Sequence, residues 1–222
     1  MKRGAAGPAN PRVVVATHSA HKLRELRQML RLDGLDLVSL DDLGIAGEPV
    51  EDGLTFETNA RIKARFAARA TGLPALADDS GIEVEALGGA PGVRTRRYAG
   101  PNATDEDNND KLMRELAAVA VEQRGARYVC VLALALPDAA APGGLRLIER
   151  RGTTRGRVAL ESRGSGGFGY DPLFEPARER VGGRTFAEYS PAEKDAISHR
   201  GRAARRMAPV LQRLIEGRPP AS

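Results

Sequence analysis

The chain has 222 residues, 41% hydrophobic and 28% charged, a composition that suits one mid-sized globular domain with enough length to bury a core. Its net charge of +5 attracts anions, but only 4% of residues are aromatic, leaving few platforms for stacked single-stranded bases. The single cysteine, Cys130, excludes an intramolecular disulfide and a cysteine-based zinc finger. No apolar run has the length of a transmembrane helix or the form of a signal peptide, so a reducing, cytoplasmic setting is expected.

Residues 1–11 read as a loose tail, 12–217 as one domain and 218–222 as a short C-terminal tail. Arg12-Val13-Val14-Val15-Ala16 is a continuous apolar run, the pattern of a strand buried on both faces. It feeds the polar turn Thr17-His18-Ser19-Ala20-His21-Lys22, then a helix to about Arg31 with Leu23, Leu26 and Leu30 on one face. Such a turn is either a phosphate site, because free N–H groups and the helix dipole favour anions, or an N-capping turn with a solvated lysine. A second strand over residues 35–40 precedes an acidic loop with Asp41, Asp42, Glu48, Glu51 and Asp52. Thr55 caps a helix ended by Thr71-Gly72, with Phe56, Ala60, Ala64, Ala67 and Ala70 on one side and Asn59, Lys63 and Arg69 on the other.

Two short strands, 73–77 and 82–84, are expected to meet at Asp78-Asp79-Ser80-Gly81. Neighbouring side chains on a strand face opposite ways, so one aspartate can face a cleft while the other anchors the turn. Paired carboxylates beside an apolar core call for a cation, and a hard ion such as Mg2+ suits them; a solvated turn is the alternative. After a basic loop over 94–101, Thr104 opens a helix to about Gln123, acidic in its first turn (Asp105, Glu106, Asp107) and carrying Leu112, Leu116 and Val119. Residues 128–136 form the most apolar strand, with Cys130 as a buried structural thiol, and 145–151 and 155–160 read as a strand pair joined by a turn.

Gly164, Gly166 and Gly169 formally match a dinucleotide fingerprint, but Pro172 follows at once and no early strand-helix-strand unit surrounds them. A glycine-rich loop that presents Phe168 and Asp171 to a ligand is the better reading, beside that of a plain flexible loop. Ser190-Pro191-Ala192-Glu193 has the form of a capping box. It sets Lys194, His199 and Arg200 near the start of a C-terminal helical region with a kink expected at Pro209. Arg202, Arg205, Arg206 and Arg213 fall on its solvated side.

The order of these pieces is more specific than any one of them. The Thr…Lys turn, Asn59-Ala60, Lys63-Ala64, Asp78-Asp79-Ser80-Gly81, Gly88-Gly89-Ala90-Pro91-Gly92, Gly166 to Pro172 and Ser198-His199-Arg200-Gly201 together resemble the inosine triphosphate pyrophosphatase family. The resemblance runs from about residue 12 to residue 215. It implies an α/β fold with a mixed, elongated central sheet flanked by helices, two lobes around a nucleotide cleft, and a homodimer. It also implies Mg2+-dependent hydrolysis of dITP, ITP and XTP to the monophosphate and pyrophosphate.

By the same resemblance, Asp79 is a metal ligand that also orients or deprotonates the attacking water, and Glu51 is the second carboxylate ligand. Thr17, Ser19, Lys22 and Lys63 hold the triphosphate, with Ser80 donating nearby. Phe168 stacks on the base, Gly169 lets the backbone approach and Tyr170 belongs to the same loop. Asp171, Lys194, His199 and Arg200 read base edges and the 6-oxo group. The chain departs from the family's Thr-Gly-Asn-x-x-Lys at His18 and Ser19, which makes the first-loop phosphate contacts less secure, and Thr58 stands where an acidic residue often precedes the asparagine. Two other readings are a related pyrophosphatase for modified pyrimidine or methylated nucleotides and a non-catalytic nucleic-acid-binding module. The first is separated by a substrate panel, and the second by salt-sensitive binding that does not need Asp79. No membrane or specific nucleic-acid partner is expected.

Overall fold

A computed structural model describes residues 10–220, so most of the expected N-terminal tail, and Ala221 and Ser222, lie outside the described residues. Six strands form one mixed sheet in the order β2-β1-β3-β4-β5-β6. They are β1 (Arg12–Val15), β2 (Asp36–Ser39), β3 (Ala75–Val84), β4 (Gly125–Pro137), β5 (Leu145–Val158) and β6 (Phe174–Pro176). β1 runs parallel to both neighbours, and the remaining pairs are antiparallel. Its three valines are buried, as a strand covered on both faces requires.

Helix α1 (Ala20–Leu30) starts at Ser19, whose side chain accepts from the Lys22 N–H, and buries Leu23, Leu26 and Leu30. It shares one sheet face with α5 (His199–Ile215), around Leu76, Leu132, Met207 and Leu211. Helix α2 (Phe56–Thr71) covers the opposite face, beginning at the Thr55 cap and ending where Gly72 takes φ 68°. Ala60, Ala64 and Ala67 let it pack against Ala75, Ala77, Val129 and Val131. A third cluster of Leu112, Tyr128, Phe174 and Phe186 fills the far end of the sheet.

Four expectations change. The two strands flanking Asp78-Asp79-Ser80-Gly81 are one uninterrupted ten-residue strand, in register with β4 from Ala75↔Ala135 to Val84↔Ala126. The ladder supplies the backbone partners a turn would have supplied, and flanking cations meet the carboxylates, so local turn propensity loses. The expected pair over 145–160 is likewise the single strand β5, and Gly152 is a close-approach site: a Cβ there would lie 2.0 Å from the His199 carbonyl oxygen of α5.

Helix α3 (Asp105–Glu115) stops well before Gln123, and Val121–Gln123 form a separate helical turn. The buried Arg124 accounts for the stop, donating to the carbonyls of Leu116 at 2.7 Å, Val119 at 2.9 Å and Ala159 at 3.1 Å. The bonds to Leu116 and Val119 satisfy carbonyls that a longer helix would have paired internally. Finally, the C-terminal helical region divides at Ser198 rather than at Pro209, into α4 (Pro191–Ile197), opened by the capping box, and α5. Ser198 accepts from the Gly201 N–H as the α5 cap, and Pro209 lies inside α5. Among the described residues no helix is long and apolar enough to cross a membrane.

Candidate active site

β1 pairs with β3 only at Ala75 and Leu76, so from Ala77 onward that edge of β3 is open until Pro91 bridges Glu83. The Leu76 carbonyl accepts from Ala16 and the Ile82 N–H donates to Thr95 Oγ1, so the backbone polar groups of Asp78 and Ser80 turn to the opening between them. A cavity of about 320 Å³ occupies this gap. Side chains from both faces of β3 reach it, and the two aspartates divide accordingly.

Asp79 faces α2. Lys63 Nζ lies 2.9 Å from its Oδ1 and 3.0 Å from Glu51 Oε2, so one ammonium joins both carboxylates. Asp79 Oδ2 is buried without a hydrogen-bond partner among the described residues. Burial raises the Asp79 pKa, with Glu51 and Asp78 adding to the effect and Lys63 opposing it. Burial would discharge Lys63, but Asp79, Asp78 and Glu51 outweigh it and hold the ammonium charged.

Asp78 faces α1 and α5. Lys22 Nζ stands 3.8 Å and an Arg200 guanidinium nitrogen 3.4 Å from its carboxylate. Burial alone would raise its pKa, yet Lys22, Arg200 and Lys63 together hold it well below the usual carboxylate range. Arg200 also donates to Ser80 Oγ at 3.2 Å and to Glu25 at 3.3 Å. Glu25 was given no role by motif, and Asp78 was read only as the partner of Asp79 in a carboxylate pair, one of which anchors a turn.

At the other end of the cavity, Phe168 leaves 41% of its surface exposed, enough for a planar ligand to cover. Lys194 Nζ and the Arg200 guanidinium carbon lie 4.7 Å and 4.8 Å from its ring centroid. Asp171 is buried, accepting from the Phe168 N–H at 2.9 Å and from Lys194. Gly167 takes φ 75°, and a Cβ there would strike Asp171 Oδ2 at 2.1 Å, so the loop requires glycine at that position. Tyr170 donates to the Thr95 carbonyl at 2.9 Å. His199 stacks on Tyr128 with ring centroids 4.5 Å apart, and burial, followed by Arg200 and Lys194, pushes its pKa well below the ordinary value. It is a neutral imidazole, with Nδ1 unpartnered among the described residues.

Of the residues expected in the site, Ser19, Lys22, Glu51, Lys63, Asp79, Ser80, Phe168, Gly169, Tyr170, Asp171, His199 and Arg200 line the cavity. Lys194 stands beneath the Phe168 ring. Thr17 is buried instead: its hydroxyl accepts from Ser19 N–H at 3.0 Å and its carbonyl from Leu40 N–H at 3.2 Å, so it shapes the turn. His18 does not need the left-handed backbone of the glycine it replaces; among the described residues Arg31 is the only non-glycine with positive φ. Its ring engages Asp41 Oδ1 through Nδ1 at 2.5 Å and the Gly47 carbonyl through Nε2 at 3.0 Å, tying the first turn to the loop that leads to Glu51. Ser19 spends its acceptor on the α1 cap. Cys130 is buried, and burial pushes its thiol pKa up, so it is structural.

Residues 13–210 match the profile of the Ham1 family. The chain belongs to the Ham1 family. It is 49% identical over 191 residues to the dITP/XTP pyrophosphatase of Syntrophobacter fumaroxidans, covering 86% of this chain and 78% of the relative. It is 46% identical to the dITP/XTP pyrophosphatase of Corynebacterium diphtheriae, covering 90% and 96%. Among solved structures it resembles the HAM1 protein of Coxiella burnetii, with a TM-score of 0.81 at 40% identity over 91% of this chain and 98% of that one. The Ham1 protein of Staphylococcus aureus gives 0.77 at 33% identity, over 93% and 98%. The α/β fold with a mixed central sheet and flanking helices is therefore the Ham1 fold, and the resemblance read from the motifs holds.

Proposed function

We propose that this chain is a nucleoside-triphosphate pyrophosphatase that removes dITP, ITP and XTP from the nucleotide pool, cleaving the α–β phosphoanhydride to release the monophosphate and pyrophosphate. Support comes from the activity named for its Ham1 relatives. At residue level the reading is carried by Lys63 joining Glu51 and Asp79 at the open edge of β3, with Asp79 Oδ2 buried and unpartnered among the described residues.

No group of three or more His, Cys, Asp or Glu side chains among the described residues is placed to hold a metal. Two carboxylates with an orphaned oxygen nevertheless fit Mg2+, which takes hard oxygen ligands, few of them from protein, and leaves room for water and phosphate. Glu51 and Asp79 would hold the ion. When bound, it supplies charge neutralisation and polarisation at the phosphate oxygens.

Lys22, Arg200, Ser19 and Ser80 bind the triphosphate, and Lys63 keeps the two carboxylates together. Asp79 orients the attacking water and accepts its proton. The water oxygen bonds to the α-phosphorus as the bond to the bridging oxygen breaks, and pyrophosphate leaves with that electron pair. Phe168 stacks on the base, while Lys194, Arg200 and neutral His199 stand beside it. Donors set against a 6-oxo group leave adenine's amino group facing other donors, and the unpaired groups penalise ATP. A homodimer and a cytoplasmic setting complete the proposal, resting on the family resemblance and on the single cysteine.

The test is pyrophosphate release from dITP and from ATP, with Mg2+ or EDTA, for wild type and Asp79→Ala. Turnover of dITP far above ATP, abolished by EDTA and nearly abolished by the substitution, is expected. Release that ignores both EDTA and Asp79 would overturn the reading.

A further inference from the structure

The acidic first turn of α3 does more than favour its own helix dipole. Asp107 closes the capping box with Thr104, whereas Asp105 lines the cavity and its Oδ2 accepts from the Gly169 N–H at 2.6 Å. Four residues along, Asn109 Nδ2 donates to the Gly169 carbonyl at 3.0 Å. Positions i and i+4 share one helix face, so one stripe of α3 takes both backbone polar groups of a residue 64 and 60 positions away.

The residue so held is the one after Phe168. Its φ of 60° places it in the left-handed region, and no Cβ contact within 4 Å explains a glycine there, so the peptide geometry itself is what the clamp holds. Asn109 Oδ1 is buried without a partner among the described residues. Its amide is turned so that the nitrogen meets the Gly169 carbonyl even though the oxygen goes unsatisfied. Asn108 beside it binds the Ala99 N–H at 2.8 Å and the Arg96 carbonyl at 3.1 Å, so α3 anchors the Gly92–Arg97 turn as well. Thr95 and Arg96 of that turn line the cavity, and the Thr95 carbonyl accepts from Tyr170 of the Phe168 loop at 2.9 Å.

We propose that Asp105 and Asn109 are positioning residues for purine selectivity: their clamp on Gly169 sets the height and tilt of the Phe168 ring over the base. The proposal rests on the pyrophosphatase reading above. Neither side chain is among the groups assigned above to the triphosphate or the attacking water. Loosening the clamp weakens base stacking and lets the 6-position drift away from the donors beside the ring, so the penalty on ATP falls while the cleavage step keeps its rate.

The experiment compares kcat and KM for dITP and ATP, with thermal melts, in wild type, Asn109→Asp, Asp105→Ala and Asp105→Asn. Asn109→Asp sets an oxygen against the Gly169 carbonyl, and Asp105→Ala removes the acceptor. Each is expected to raise KM for dITP and to cut the dITP/ATP ratio of kcat/KM about tenfold, the size of one lost hydrogen bond, with kcat on dITP within about threefold of wild type. Asp105→Asn keeps an acceptor for the Gly169 N–H and is expected to retain the wild-type ratio. The proposal is overturned if Asn109→Asp and Asp105→Ala lower the melting temperature but leave the ratio unchanged. It is equally overturned if Asp105→Asn fails as badly as Asp105→Ala, since charge rather than the hydrogen bond would then matter. If Asn109→Asp does not fold, the Asp105 pair decides alone. Failure of the underlying reading is distinct, because wild type itself would then show no dITP preference.

Discussion

Replacing Asp78 with asparagine keeps the volume of the side chain and removes only its charge, which isolates the electrostatics at the heart of β3. The carboxylate is 11% exposed and sits between Lys22 and Arg200. Removing one partner of a buried ion pair costs about 3–5 kcal/mol, because the other charge is left without compensation. Here the loss is softened: Lys22 keeps 31% of its side chain in solvent, and Arg200 retains Glu25 and Ser80. About 2–3 kcal/mol is therefore expected, which at about 2–4 °C per kcal/mol for a chain of this size lowers Tm by roughly 4–12 °C at pH 7. The sign of the pH dependence follows from the depressed pKa. The carboxylate's contribution is fully present above its unfolded value of about 3.9 and fades as the pH falls toward the lower folded value. Urea denaturation followed by circular dichroism at pH 7, 5 and 3.5 should give an equal wild-type advantage at the first two and a smaller one at the third. A Tm within about 1 °C of wild type at pH 7, or an advantage that grows in acid, would refute the reasoning.

Gly152→Ala places a Cβ 2.0 Å from the His199 carbonyl oxygen and 2.5 Å from the Ala203 nitrogen, both backbone atoms of α5. A loss of at least about 2 kcal/mol in urea denaturation is expected, together with reduced dITP turnover, because His199 and Arg200 open the helix that must shift. His18 donates through both ring nitrogens, to Asp41 and to the Gly47 carbonyl, so the bonded form is the imidazolium, and the hydrogen bond to Asp41 leads in raising its pKa. Its stabilisation is fully present below about pH 6.5 and is lost as the pH rises through the elevated folded value. The Tm difference between wild type and His18→Ala should thus be larger at pH 6 than at pH 9, and a difference independent of pH would remove the imidazolium from the argument.

Much of the helical frame was legible in local chemistry. Thr55 and Gly72 bracket α2, Ser190 and Glu193 form the capping box of α4, and the valines of β1 declare a strand buried on both faces. Caps, apolar periodicity and glycine conformations act within a few residues, so the chain records them directly. The functional motifs were legible for a related reason: Gly167 and Asp171 lie in one short loop and constrain each other at contact distance.

What the linear order did not reveal depended on partners far away. Asp78-Asp79-Ser80-Gly81 has the composition of a turn, and only the β4 ladder, from Leu132 to Val129, holds it extended. Gly152 looked like a hairpin residue until α5 came to rest on it, and α3 stops where Arg124 reaches back for its carbonyls. Asp78 gained its role only when Lys22 and Arg200, 56 and 122 residues distant, folded onto the same strand. The sequence by itself therefore determined the caps of α2 and α4, the buried valine strand and the loop glycines, all set by short-range sterics and hydrogen bonds, and the order of its motifs gave the family. The tertiary structure decided where strands continue, where α3 ends and which charges compensate one another, because ladder pairing and the energy of a buried carboxylate depend on groups that only folding brings within a few ångströms.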